Sequence, residues 1–162
     1  MEYFGRSPVP LPVLILGKAA FLGCGLFFIV KLLRPEAMLL DSAFTTAAGG
    51  ALCAAGLAVL AAGIVHLGRS IAVGLPERGT ELRTDGIYRF TRNPIYLGGF
   101  IACAGSCLVA IHPLNILLFC IAVAVHLGIV RREEEFLERR FGERWLEYKR
   151  RVPRFIGAPR RI

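Results

Sequence analysis

The chain has 162 residues, long enough for one domain, yet 55% of them are hydrophobic and the mean hydropathy is +0.57, too apolar for a water-soluble domain of that size. The apolar excess must face lipid. The net charge of +8 invites a nucleic-acid partner, but its distribution excludes that reading, because eleven of the twenty Lys and Arg residues follow Val130. Five more, Arg69, Arg78, Arg83, Arg89 and Arg92, lie between two apolar runs.

The first apolar run, 9–33, contains Lys18 and lacks a small-residue cleavage site before Lys31, so it reads as a span rather than a signal peptide. Between Asp41 and Arg69 lie 27 residues without formal charge, and 43–67 reads as a second span. Between Arg92 and Arg131 lie 38 more, too many for one crossing and broken by His112-Pro113; two spans, 94–111 and 113–130, fit a hairpin. The expected fold is therefore all-α: a single membrane domain, 1–162, of about four spans. A basic loop at 68–93 and a C-terminal segment at 131–162 would then share one side with both termini. The positive-inside rule makes that side cytoplasmic, and anionic headgroups account for the basic excess.

Local signals refine this frame. Asn93-Pro94 is helix-start chemistry, with Asn accepting from the first free amides and Pro tolerated at the first helical position. Gly74, Pro76 and Gly79 break any helix early in the basic loop. The fourth span is expected to run on past Arg131-Arg132-Glu133-Glu134 until Gly142 supplies a left-handed cap. A short helix, 143–151, follows, its Trp145 and Tyr148 suited to the headgroup layer. Cys24, Cys53, Cys103, Cys107 and Cys120 all sit in apolar runs without metal-knuckle spacing, so they read as packing residues and no metal is expected. His126 lies seven residues before Glu133, on the same face of one helix. An ionisable residue inside a span is a functional candidate, although a histidine bonded to a neighbouring helix is the plainer account. His66 and His112 read as interfacial.

Two constellations can carry chemistry: Gly86-Ile87-Tyr88 with Arg92-Asn93-Pro94-Ile95-Tyr96-Leu97-Gly98, and Glu133-Glu134. Singly they are a turn, a cap and a solvated face. In this order, flanking a hydrophobic hairpin and followed by Leu137, Phe141-Gly142, Tyr148 and Arg151-Val152-Pro153, they resemble the isoprenylcysteine carboxyl methyltransferase family, including its bacterial and archaeal relatives and, more distantly, phospholipid methyltransferases. The resemblance covers about half of the chain, from Leu82 to Ile156. It implies a bacterial or archaeal cytoplasmic-membrane enzyme that binds S-adenosyl-L-methionine in a cytosolic pocket closed by the C-terminal segment. It places cofactor contacts at Gly86, Ile87, Tyr88, Asn93, Tyr96, Gly98, Gly99, Phe100 and Glu133. On the acceptor side it leaves Glu134, His126, Arg131 and Arg132, with a hydrophobic small-molecule or lipidated acceptor bearing a carboxylate, amine or thiol. A carboxylate needs no base, whereas an amine or thiol does.

Three positions depart from the family pattern: Asn93 stands where eukaryotic members have His, Trp145 replaces a Tyr, and Ile129 occupies a position where they carry an Arg associated with substrate. The acceptor is therefore not inherited with the resemblance, and oligomeric state is not legible. Two other readings stay open, an NADPH-dependent membrane reductase with a related C-terminal core and a non-enzymatic membrane adaptor. The reductase pattern ends in an aromatic-Cys pair, which Tyr148-Lys149 lacks.

Overall fold

A computed structural model describes residues 10–67 and 82–157; Arg6, Arg69, Arg78 and the helix-breaking Gly74, Pro76 and Gly79 fall outside them. Five α-helices carry the fold: α1 (Leu11–Leu33), α2 (Ala43–Leu67), α3 (Pro94–Val109), α4 (Pro113–Phe141) and α5 (Glu143–Arg151). Among the described residues there is no strand, only an isolated antiparallel bridge between Leu40 and Ile111 that joins the two connections at the far end. Helices α1, α2 and α4 are each long and apolar enough to cross a membrane, with α3 a shorter apolar helix beside them. The protein is an integral membrane protein.

Helix α3 is the hub, touching α1, α2 and α4. Its seam with α2 is built from glycines that bring the two backbones together. A Cβ on Gly56 would fall 2.7 Å from the Gly98 carbonyl oxygen and 2.9 Å from Ala102 Cα, and one on Gly105 would fall 2.6 Å from the Gly49 oxygen. In lipid, where apolar side chains gain little by meeting one another, such close approach is the main source of helix association. Gly56→Val is therefore expected to cost about 1–3 kcal/mol through overpacking against backbone that cannot move aside. A lowered thermal midpoint in detergent checks this, and an unchanged midpoint refutes the seam.

At 16 residues, α3 is about 24 Å long, short of the roughly 30 Å hydrocarbon thickness. Its last carbonyls would be orphaned in lipid. Asn115, fully buried at the start of α4, donates Nδ2 to the Ala110 carbonyl at 3.0 Å and adds a second bond, at 3.1 Å, to the Ser106 carbonyl that already accepts the Ala110 amide. Ser106 in turn donates its hydroxyl to the Cys24 carbonyl, fastening α1 to the hairpin. At the same far end Lys31, in the last turn of α1, pairs with Asp41 at 2.9 Å and donates to Thr46, so this cation is neutralised.

Three local expectations need correction. Asn93 occupies the cap position of α3, but its side chain accepts no helix amide; its Nδ2 donates to Glu134 and to the Arg154 carbonyl instead. Gly142 does reach a positive φ of 53°, but with ψ −127° it is not the left-handed helical cap; it turns the chain between α4 and α5 as a type II′ turn residue would. Trp145 and Tyr148 do not face headgroups: they are 2% and 4% exposed and pack with Val152 against Leu82, Leu137 and Phe141. The same aromatic spacing serves either environment, and the tertiary fold selects the inner one.

Candidate active site

The C-terminal ends of α2 and α4 and the N-terminal end of α3 meet a knot made of the 3₁₀ turn Gly86–Arg89, α5 and residues 152–156. Helix α4, 29 residues or about 43 Å long, projects beyond the bilayer and carries Glu133 and Glu134 into this knot. The two neighbours have opposite surroundings.

Glu134 is 3% exposed. Its Oε1 accepts from Arg92 Nε (3.2 Å), Arg92 Nη2 (2.9 Å) and Asn93 Nδ2 (3.2 Å); its Oε2 accepts from Arg154 Nε (3.1 Å) and Nη2 (2.6 Å). Burial alone would push this carboxyl up, but the Arg154 hydrogen bonds and the Arg92 charge outweigh it and hold it below the usual carboxylate range. Arg92 also donates Nη1 to the Lys149 and Val152 carbonyls, and its own amide bonds the Pro153 oxygen at 3.0 Å. Thr91 and Asn93 both donate to the Arg154 carbonyl. The segment after α5 is thus strapped across the start of α3.

Glu133 is half-buried, and among the described residues its hydrogen-bond partner is the Tyr96 hydroxyl at 2.8 Å. No arginine pairs with it there. Burial pushes its carboxyl up, against the Tyr96 hydrogen bond, which pulls the other way. Tyr88 shares this neighbourhood: burial, with help from the Glu133 charge, pushes its phenol up to about 12. Its hydroxyl meets the Gly63 carbonyl of α2 at 3.4 Å, while its own carbonyl accepts from Tyr148 at 2.7 Å.

Tyr88, Asn93, Tyr96, Glu133 and Glu134 are therefore gathered at one mouth. Other sequence candidates lie around it. Gly98 is turned into the α2 seam, where a Cβ would meet the Leu60 and Gly56 backbone. Gly99 faces the Phe21 ring of α1, 3.0 Å from the position a Cβ would take. Phe100 packs on Phe21, His126 and Phe155 with centroids 6.1, 6.4 and 5.6 Å away. His126 is buried between Phe21 (4.2 Å) and Tyr96 (5.6 Å). Its Nδ1 lies 2.8 Å from the Ala122 carbonyl, which can only accept, so the proton sits on Nδ1. Arg131 and Arg132 are exposed, and Ile129 is 3% exposed.

Gly86 has φ +55°, and what approaches its backbone is the His66 imidazole of α2. Ile87 lies beside it in the same turn. Gly86→Ala is expected to cost about 1–2 kcal/mol from the positive φ, plus the displacement of His66. His66→Ala relieves the second part only, so the thermal midpoint of the double variant should lie above that of Gly86→Ala and below that of His66→Ala.

Sequence reasoning missed Phe21, Phe155 and Arg154. Phe21 belongs to a helix with no motif, and Arg154 is one of many C-terminal cations, so nothing local distinguished them.

The family model for phospholipid methyltransferase matches residues 44–144. The chain belongs to this family. The match spans α2 to the start of α5 and leaves out α1, which nevertheless supplies Phe21 beside the site. Among the relatives, protein-S-isoprenylcysteine O-methyltransferase B of Arabidopsis thaliana is 31% identical over 100 residues, 59% of this chain and 50% of that protein. Protein-S-isoprenylcysteine O-methyltransferase of Schizosaccharomyces pombe is 29% identical over 132 residues, 77% of this chain and 56% of that protein. The Xenopus laevis enzyme of the same name is 37% identical over 79 residues, 48% of this chain and 27% of that protein. The chain spans about half the length of the first two relatives or less of the third. These matches agree with the resemblance carried by the Gly86–Gly98 and Glu133-Glu134 motifs.

Proposed function

We propose that the protein is an S-adenosyl-L-methionine-dependent membrane methyltransferase acting on a hydrophobic or lipid-like acceptor, with its site at the cytoplasmic face. The family match and the names of the relatives support methyl transfer. The observation that carries the choice of donor is the contrast between the adjacent carboxylates. Glu134 is neutralised by two arginines, whereas Glu133, half-buried at the same mouth, has no cationic partner among the described residues. A carboxylate held in that condition suits a ligand that brings its own positive charge.

When bound, S-adenosyl-L-methionine supplies an electrophilic methyl group already activated by its sulfonium, so the protein's tasks are alignment and exclusion of water. Tyr96 fixes the Glu133 carboxylate, and Glu133 holds the positive charge of the donor. Tyr88, Ile87 and Asn93 wall the mouth, and the strap 152–156 limits water. Glu134 acts as a positioning residue, since both of its oxygens are committed to arginines and its affinity for a proton is lowered. His126, with Nδ1 engaged by the Ala122 carbonyl, has Nε2 left as the proton acceptor for an amine or thiol. Arg131 and Arg132 stand at the same level for an anionic acceptor. The acceptor's apolar portion approaches from the bilayer, in keeping with the isoprenylcysteine in the relatives' names and the phospholipid in the family's description.

Saturable binding of S-adenosyl-L-methionine to the folded protein in detergent tests the reading. Loss of binding in Glu133→Ala with the fold intact supports it. Folded protein that binds no donor favours an adaptor, and binding of NADPH in its place favours a reductase.

A further inference from the structure

A groove of about 550 Å³ opens between α5 and the strap that follows it. Among the described residues its cations are Arg92, Lys149, Arg150 and Arg154, its apolar lining is Leu146, Val152 and Pro153, and no acidic residue lines it. Much of its donor capacity is unspent. Arg154 commits Nε and Nη2 to Glu134 and keeps Nη1. Lys149 holds Glu138 at 2.9 Å with an ammonium that has three N–H groups. Arg150 is exposed, and no ion pair involves it among the described residues. Among the described residues these four cations pair with only the Glu134 and Glu138 carboxylates, which leaves an excess of positive charge there.

We propose that this groove binds a phosphate-bearing anion of the size of a phospholipid headgroup. Guanidinium edges match phosphate oxygens in pairs, and a lysine adds a point charge. The apolar side of the groove suits glycerol carbons rather than a bare ion. Position agrees: the Arg92 amide bonds the Pro153 carbonyl, and Arg92 is two residues ahead of the first residue of α3, so the groove sits at the level where the chain leaves the bilayer. The proposal does not depend on the identity of the methyl donor, and it rests on Lys149, Arg150 and the remaining Nη1 of Arg154, since the Arg92 guanidinium is committed to Glu134 and to the Lys149 and Val152 carbonyls and adds only its charge.

Trp145 provides the readout. It is the only tryptophan in the chain and lies in α5, with the Arg92 guanidinium 5.9 Å from its ring centroid. The full-length protein in neutral detergent at fixed ionic strength is titrated with dioctanoyl phosphatidate, inorganic phosphate or dioctanoylglycerol while Trp145 fluorescence is followed. A saturable response to a phosphate-bearing probe and none to dioctanoylglycerol is expected. The double variant Lys149→Gln/Arg150→Gln should weaken it about tenfold, the weight of one charge-assisted hydrogen bond, with the thermal midpoint within a degree or so of wild type. Tighter binding of phosphatidate assigns the groove to a lipid headgroup, and equal affinities assign it to free phosphate. No saturable response, an equal response to dioctanoylglycerol, or an unchanged affinity in the double variant overturns the proposal.

Discussion

Glu134→Ala is expected to lower stability by about 3–5 kcal/mol, seen as a large fall in thermal midpoint in detergent, and to expose the strap to trypsin after Arg150, Arg151 and Arg154. The carboxylate is 4% exposed at its side chain and divides its oxygens between two arginines, one of which, Arg92, is itself 6% exposed. Removing the anion leaves Arg92 buried without a counterion, the costly half of breaking a buried pair. The effect should spread because Arg92 also holds the Lys149 and Val152 carbonyls. Pairing the variant with Arg92→Leu should cost clearly less than the two single losses added together, since each single variant strands a charge that the double variant does not. A Glu134→Ala protein that melts like wild type and resists trypsin equally would remove the network from the account of how the strap is held.

The pH dependence of the same network has a definite sign. The folded-state carboxyl of Glu134 lies below its ordinary value despite burial, because the Arg154 and Arg92 interactions favour the charged form. Its contribution is therefore complete above the unfolded carboxylate range, near pH 4.3, and is lost as pH falls through the lower folded value. The difference in thermal midpoint between wild type and Glu134→Gln should narrow on acidification below about pH 4 and stay constant from pH 6 to 8.

Much of the frame was legible because it is local. An uncharged run marked α2, Pro113 opened a helix, and Gly142 ended one, each through chemistry that acts over a few residues. The pairing of charges was not legible. Glu134 meets Arg92 across 42 positions and Arg154 across 20, and a chain with twenty basic residues offers too many partners for spacing to choose among them. Asn93 shows the two levels competing: the cap position was read correctly, but a buried carboxylate outbid the helix amides for its side chain. Phe21 was invisible for the opposite reason. An unbroken apolar helix carries no mark of which phenylalanine faces lipid and which faces His126. The two glutamates looked equivalent in sequence, and only the fold separates the one held by two arginines from the one whose hydrogen-bond partner, among the described residues, is Tyr96.

That separation leads to the second large effect. Glu133→Gln is expected to weaken binding of S-adenosyl-L-methionine by about ten- to a hundredfold, since a charge-assisted contact in a partly desolvated site contributes roughly 1.5–3 kcal/mol. The variant keeps the side chain's size, and Tyr96 keeps an acceptor at 2.8 Å from its hydroxyl, so the thermal midpoint should change little. The pH profile distinguishes a lost charge from a lost shape. Burial holds the free Glu133 carboxyl above the usual carboxylate range, so a larger share of it is protonated in mildly acidic buffer than for an exposed glutamate. A cationic ligand binds the ionised form. Wild-type affinity should therefore rise with pH through that raised value and then level off, with protons released on binding at the acid end. In Glu133→Gln the same rise should be absent. S-adenosylhomocysteine, which lacks the sulfonium charge but keeps the ammonium, refines the assignment: an equal loss for both ligands places the carboxylate at the ammonium, and a loss confined to the methylated ligand places it at the sulfonium. If wild-type affinity is independent of pH from 5 to 8 and Glu133→Gln binds as tightly, the Glu133 carboxylate is not the anchor for the donor.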